Sequence, residues 1–169
     1  SDYVELYNKT DKVISLNGWY IANTQTDAPD ALTNHTLLTT EPYSLHPDSY
    51  VALTPNIDDI FMRYGNCGTL LQPNRFIKTA LPTLPDDVGT AAITNLLSTV
   101  IIDRLDYTDK WHNEVIETKD GISLERISPD APTNNASNWQ SAAAAVCYGT
   151  PSYKNSQAAT IGITCLLYT

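Results

Sequence analysis

YVELYNKTDKVISLNGWYIAN, residues 3 to 23, reads as strand, turn, strand. In its first half Val4 and Leu6 fall on one face and Tyr3, Glu5 and Tyr7 on the other, the period of two that an extended chain imposes on its side chains. Val4 and Leu6 are the expected core face. KTDK is a polar turn, after which VISL and GWYIAN resume the strand pattern. Gly18 permits a bend or bulge where a bulky residue would crowd a sheet. Trp19 and Ile21 form the expected inward pair of that second half.

The rest of the chain is composed in the same way. At 169 residues and 18.6 kDa it fits one domain over residues 1–169, and a globule of this size removes roughly 70% of its unfolded surface from water. Hydrophobic content is 42% and charged content 17%, far from the signature of disorder. Ten Tyr, ten Pro and one Met, with many Thr and Asn, favour strands and turns over helices.

Residues 24–34, TQTDAPDALTN, show no periodicity and many turn formers, and are expected to form a loop. HTLLTT is a short strand. LHPDSYVALT joins a turn at Pro47 to a strand on which Val51 and Leu53 face together. In TPNIDDIFMRYG, Ile57, Ile60, Phe61 and Tyr64 recur at helical spacing; Thr54 can cap, Pro55 suits the first helical position and Gly65 the end. RFIKTA, TAAIT and TVIIDRLDY follow as strands, with LPTLPDDVG as a loop and NLLS as a turn. Asp120-Gly121 is expected to open a hairpin connection into ISLERI. The expected fold is all-β, a β-sandwich of about eight to nine strands with one short helix near residues 55–64.

Charge and motif content narrow the function classes. The net charge of −9 and the scattered Lys and Arg argue against nucleic acid and anionic membrane, both of which need clustered cations. No apolar run is long enough to span a bilayer, and the N-terminus lacks a basic region followed by an apolar run, so the chain is expected to be cytosolic or to have lost its signal. Cys67, Cys147 and Cys165 match no zinc spacing; small buried thiols are the favoured reading, with one disulfide as the alternative in an oxidising compartment. His35, His46 and His112 lie in no motif with catalytic mechanics, and neither G-x-S-x-G nor a Gly-rich phosphate loop occurs. In DYTDKWH, Asp106, Asp109 and His112 carry metal-ligand chemistry, but their spacing fits no metal loop, and a solvated acidic turn is preferred. Asp86 and Asp87 before Gly89 lack the alternating acidic positions of a calcium loop. Three N-x-S/T sequons stand at Asn8, Asn34 and Asn135. No cofactor is expected.

Several separated motifs, in order, resemble the lamin tail domain family. YVELYN followed by LNGWYIAN is similar to its opening pair of strands, "E-(Y/F)-V-E-L-Y-N … L-x-G-W". HPDSYVALT is similar to its Pro-turn and strand, IIDRLDY to its "V-V-D-x-x-x-Y" strand and GISLERI to its closing "G-x-S-L-E-R" strand. NWQSAAAAVCYGTPSYKNSQ, residues 138–157, resembles the version in bacterial secreted and cell-envelope proteins. The likeness covers about residues 2–157. The family's usual "I-N-E-I" strand before YVELYN is not in this sequence, and a piece trimmed from a larger protein is the expectation.

The resemblance implies an immunoglobulin-like sandwich serving as a non-catalytic binding or assembly module, extracellular or in the cell envelope. Its implied partner is a protein or cell-surface polymer. An accessory domain that positions a secreted hydrolase on glycan is the alternative, with exposed Tyr rings and the 24–34 segment as the surface for sugar. ISLERI is then a terminal core strand with Ile122 and Leu124 inward, SPDAPTNNAS crosses the outside, Trp139 anchors it and YGTPSYKN closes the fold. The expected core includes Trp19, Val51, Leu53, Leu124 and Trp139. The apolar, charge-free end of the chain, residues 158–169, is expected to add a strand on a sandwich edge, in its own molecule or in a homodimer.

Overall fold

The computed structural model describes residues 2–68, 70–95 and 100–158. These hold strands β1 (Val4–Tyr7), β2 (Ile14–Ser15), β3 (Trp19–Gln25), β4 (Ala28–Leu37), β5 (Ser44–Leu45) and β6 (Tyr50–Thr54). Helix α1 (Ile57–Tyr64) precedes β7 (Phe76–Lys78), β8 (Val88–Asn95), β9 (Val100–Thr108), β10 (Leu124–Arg126) and β11 (Trp139–Ser141). The fold is an all-β sandwich with one short helix.

Two sheets make the sandwich, one in the order β1-β6-β7 and the other in the order β4-β3-β8-β9. β1 runs antiparallel to β6 with Val4 opposite Leu53 and Leu6 opposite Val51, which sends both apolar pairs to the same face. There Val51, Leu53 and Ile77 meet Ile21 and Ile93 of the second sheet, with Leu16, Leu38 and Leu45 closing the core. Each such side chain stabilises the fold by about 1.5–3 kcal/mol through removal of apolar surface from water. Val51 and Leu53 are fully buried. Trp19 packs against this core from its margin, only half-buried, because it opens β3 beside the turn at Gly18, whose φ is +74°.

The chain from Thr24 to Asn34 is not a loop. It is a β-hairpin in which Gln25 pairs with Ala28 across a two-residue turn, with register shifts before Asn23 and after Thr24. Backbone pairing carries this ladder without apolar alternation, and Pro29 is tolerated because β4 is an edge strand. The helix starts two residues later than its sequence signals suggest. Thr54 still belongs to β6, fully buried, with its hydroxyl donating to the Asp2 carbonyl, so Asn56 takes the cap and accepts from the Asp59 N–H at 3.4 Å.

The back of the β1-β6-β7 sheet carries a second layer. Ala52 and Phe76 pack there against Ile60, Tyr64 and Leu71, flanked by Tyr3, Phe61 and Cys147. Cys67, just beyond α1, is bonded to Cys147, a pairing of Cα atoms 5.5 Å apart that closes 80 residues of chain. The reading of these two cysteines as buried free thiols is therefore corrected; Cys165 lies outside the described residues. The sulfurs meet because both flank the apolar patch under α1.

ISLERI is not a strand of the main sheets. Asp120-Gly121 forms a turn with Gly121 at φ +71°, but among the described residues β10 then pairs only with β11, register Leu124 to Ser141. Its alternation is also reversed from expectation: Glu125 is buried, while Ile122, Leu124 and Trp139 are partly exposed. The reason is that this small hairpin lies behind the first sheet, where its inward face meets hydrogen-bond donors instead of the apolar core. The polar crossing does run outside. Asn134 Oδ1 accepts the Asp106 N–H at 2.8 Å and the Thr133 hydroxyl donates to Asp103 at 2.7 Å, so residues 131–134 cover part of the outer strand β9. Trp139 holds the crossing by donating its indole N–H to the Thr133 carbonyl at 2.7 Å. The expected C-terminal strand at 158–169 falls almost wholly outside the described residues.

Candidate functional site

Among the described residues, polar chemistry meets a shaped environment in an open cleft at one end of the first sheet and in the pair of carboxylates beside it, Glu5 half-buried and Glu125 buried. Both depend on how the YVELYN strand is set.

Asn8 ends that strand and is buried; its amide donates to the Lys12 and Leu45 carbonyls, and its Oδ1 accepts from the backbone and hydroxyl of Thr10. The sequon at Asn8 thus serves as the organiser of the KTDK turn, whereas Asn34 and Asn135 are exposed. Next to it Tyr7 stacks on Tyr50, ring centres 4.5 Å apart, and donates to Asp48 at 2.8 Å. Asp48 holds φ +53° in the Pro47 turn, a conformation Asp adopts more readily than most residues.

Tyr50 then forms one wall of a cleft of about 320 Å³, shared with Tyr43, His46, Gln72, Asn74 and Arg75. Tyr43 is fixed by its hydroxyl bond to the Asn74 carbonyl at 3.0 Å, and Arg75 by a bond of 3.4 Å to the Ser152 carbonyl. Burial, helped by the Glu5 charge, pushes the Tyr50 hydroxyl up to about 12, so it stays a neutral donor. Among the described residues the side chains of Gln72 and Asn74 make no hydrogen bond within the protein. The cleft therefore offers ring faces, amides and one guanidinium, a set that suits sugars or polar peptide. A second hollow of about 440 Å³ lies at the β3–β4 hairpin, lined by Asn23, Gln25, Asp27, Asn34 and Thr83. It has no aromatic wall, and two of its three amides already pair, Asn34 with Asn23 and Asn23 with the Thr83 carbonyl.

Behind the cleft, Glu5 points away from Val4 and Leu6 into the second layer. Its Oε2 is sealed from solvent without a hydrogen-bond partner. Glu5 as a whole is half-buried, whereas Glu125 is buried and its oxygens accept from the Thr150 and Ser156 hydroxyls, each at 2.6 Å, and from the Gln157 N–H at 3.0 Å. Burial raises Glu5 well above the usual carboxylate range, opposed by the backbone N–H groups of Ser152 and Tyr153 and reinforced by the Glu125 charge. Sequence alternation placed Glu5 on the face opposite the core and gave no sign that a second layer covers it.

Asp106, Asp109 and His112 do not converge. Arg104 binds Asp106 at 2.9 Å, Lys119 lies 3.5 Å from Asp109, and His112 Nδ1 sits 2.9 Å from the Ser141 hydroxyl. Among the described residues no group of three acidic, His or Cys side chains could hold a metal ion. Ser141 is itself buried and accepts the Asn113 N–H, so the His112 contact ties a turn to β11. Burial, with Lys119, lowers His112 and keeps it neutral, opposed by Asp109.

No model of a known protein family and no curated protein matches this chain. No helix among the described residues is long and apolar enough to cross a membrane.

Proposed function

We propose that this chain is a non-catalytic binding or assembly module of a bacterial secreted or cell-surface protein, an immunoglobulin-like sandwich of the lamin tail type. The single observation that carries the reading is the Tyr43–Tyr50–Arg75 cleft: an open, polar and aromatic recess held on a rigid sheet, with side-chain amides not consumed by the protein itself. The Cys67–Cys147 disulfide supports an extracellular or envelope location, since such bonds persist in oxidising compartments. A protein partner is favoured. The exposed Val100, Ile101 and Ile102 of the outer strand β9 add an apolar surface suited to assembly, including with a second copy of the chain.

The second reading is an accessory domain that holds a hydrolase on glycan, favoured by the paired Tyr7 and Tyr50 rings beside the cleft. One experiment separates the two. Labelled protein with its disulfide intact is titrated onto isolated bacterial envelopes, before and after protease treatment of the envelopes. Saturable binding that protease abolishes supports a protein partner. Binding that survives and is competed by soluble envelope polysaccharide supports the glycan reading. Absence of saturable binding in both arms counts against both.

A further inference from the structure

Thr150 to Gln157 lies across the back of β1 and is fastened there by two acidic side chains. Glu125 takes hydrogen bonds from Thr150, Ser156 and Gln157, and Glu5 faces the backbone N–H groups of Ser152 and Tyr153. The approach to this segment is conformationally costly. Cys147, Tyr148 and Ser152 have φ of 53°, 63° and 65°, a left-handed backbone that residues other than glycine keep only where their surroundings impose it. Gly149 has no room for a side chain, because a Cβ there would come within 2.7 Å of the Tyr64 ring and 2.9 Å of the Tyr3 hydroxyl. At its start the segment is tethered by the Cys67–Cys147 bond.

We propose that Glu5, beside Glu125, is an alkali-released latch: its carboxyl holds a proton while Thr150–Gln157 is docked, and loss of that proton frees the segment while the disulfide keeps it attached. The distribution of donors assigns the proton. Glu125 takes three hydrogen bonds, whereas Glu5 Oε2 is sealed from solvent with no partner, and a sealed carboxyl oxygen without a donor is far less costly on a neutral group than on a charged one. The nearby Glu125 charge further disfavours ionisation of Glu5.

Among the described residues, no cation acts on the Glu5 carboxyl. The influences on the Glu5 carboxyl are its burial, the two N–H groups and the Glu125 charge. The other titratable or charged groups on this side are the phenols of Tyr3 on β1, Tyr50 on β6, Tyr64 on α1 and Tyr153 within the segment, with the Arg63 guanidinium 5.4 Å over the Tyr64 ring and Lys154 in the segment itself. Burial raises Tyr3 well above its ordinary value, with the Glu5 charge reinforcing it. Arg75 reaches the segment, but through the Ser152 carbonyl. A folded-state carboxyl raised above its unfolded value favours the docked form at low pH, and that preference is lost as pH rises through the raised value. Release would also free Arg75 from Ser152, changing the wall of the neighbouring cleft.

The test is residue-resolved amide hydrogen exchange on the whole disulfide-bonded chain and on Glu5→Gln, across neutral and alkaline pH and corrected for intrinsic rates. In the wild type, protection of Ser152, Tyr153 and Gln157 is expected to fall about tenfold per pH unit above the latch midpoint, while β3 and β8 amides hold. Glu5→Gln is expected to abolish this dependence and leave the segment protected. Equal pH dependence in both proteins, or none in the wild type, overturns the latch. Should Glu5→Gln fail to fold, the carboxyl-carbon NMR shift of wild-type Glu5 decides: a protonated shift at neutral pH supports the proposal, and an ionised shift, or a bound sodium, potassium or calcium ion in native mass spectra, overturns it.

Discussion

Glu5 on β1 and Glu125 on β10 come from opposite ends of the chain, yet the charge of Glu125 acts directly on Glu5 inside the second layer. A second-layer side chain of the first strand thereby depends on residues far along the sequence. The stability of the whole domain should record this. Glu5, raised in the folded state, contributes stability that is greatest below its unfolded value near pH 4 and is lost as pH rises through the folded one. Urea unfolding at about pH 5 and pH 9 should show Glu5→Gln gaining on the wild type at the higher pH. An unchanged difference between the two pH values contradicts the assignment.

His112 titrates with the opposite consequence. Its lowered folded value means that the neutral form is favoured, so its contribution is present above about pH 6.5 and is lost as pH falls through the folded value. His112→Gln should therefore be less sensitive than the wild type to acid between about pH 6.5 and 5, as read by thermal melts.

The disulfide binds the helix side of the second layer to the strap that follows it. Replacing Cys67 and Cys147 by Ala should cost about 2–5 kcal/mol in denaturant unfolding. Circular dichroism and exchange should show α1 and residues 147–157 loosened before the main sheets.

Substitutions should rank by burial. Leu53→Ala, at a fully buried position between the sheets, should cost about 2–5 kcal/mol. Trp139→Ala should cost less than a fully buried Trp would, because the residue is only half-buried and its ring meets Trp111 at 6.4 Å; what it loses is chiefly the bond to Thr133. Gly149→Ala should cost about 1–3 kcal/mol by forcing Tyr64 or Tyr3 to move. Equal losses for Leu53 and Trp139 would contradict the placement of the core.

The sandwich was legible in the sequence because its strands obey a period of two against a single apolar face. Val4, Leu6, Val51 and Leu53 announce that face directly. Helix α1 was legible from the spacing of Ile57, Ile60, Phe61 and Tyr64, and only its cap was displaced, because Thr54 was needed at the end of β6. The second layer was not legible. It buries polar groups, so Glu5 and Glu125 look like solvent-facing residues until their donors from positions 150–157 are in place. The hairpin at 24–34 was hidden for the same reason: pairing of backbone groups leaves no trace in side-chain hydropathy. The cleft brings Tyr43 and Tyr50 next to Gln72 and Arg75, residues whose proximity depends on β6 and β7 lying side by side.

We propose that the Tyr43–Tyr50–Arg75 cleft makes this chain a binding module. The most direct measurement is the envelope-binding isotherm of the wild type beside Tyr50→Ala and Arg75→Ala, each first checked for a native melt. We expect saturable wild-type binding, weakened about tenfold or more by each substitution, as for removal of an aromatic or Arg anchor of roughly 1.4 kcal/mol or above. Wild-type affinity in both variants would contradict the claim.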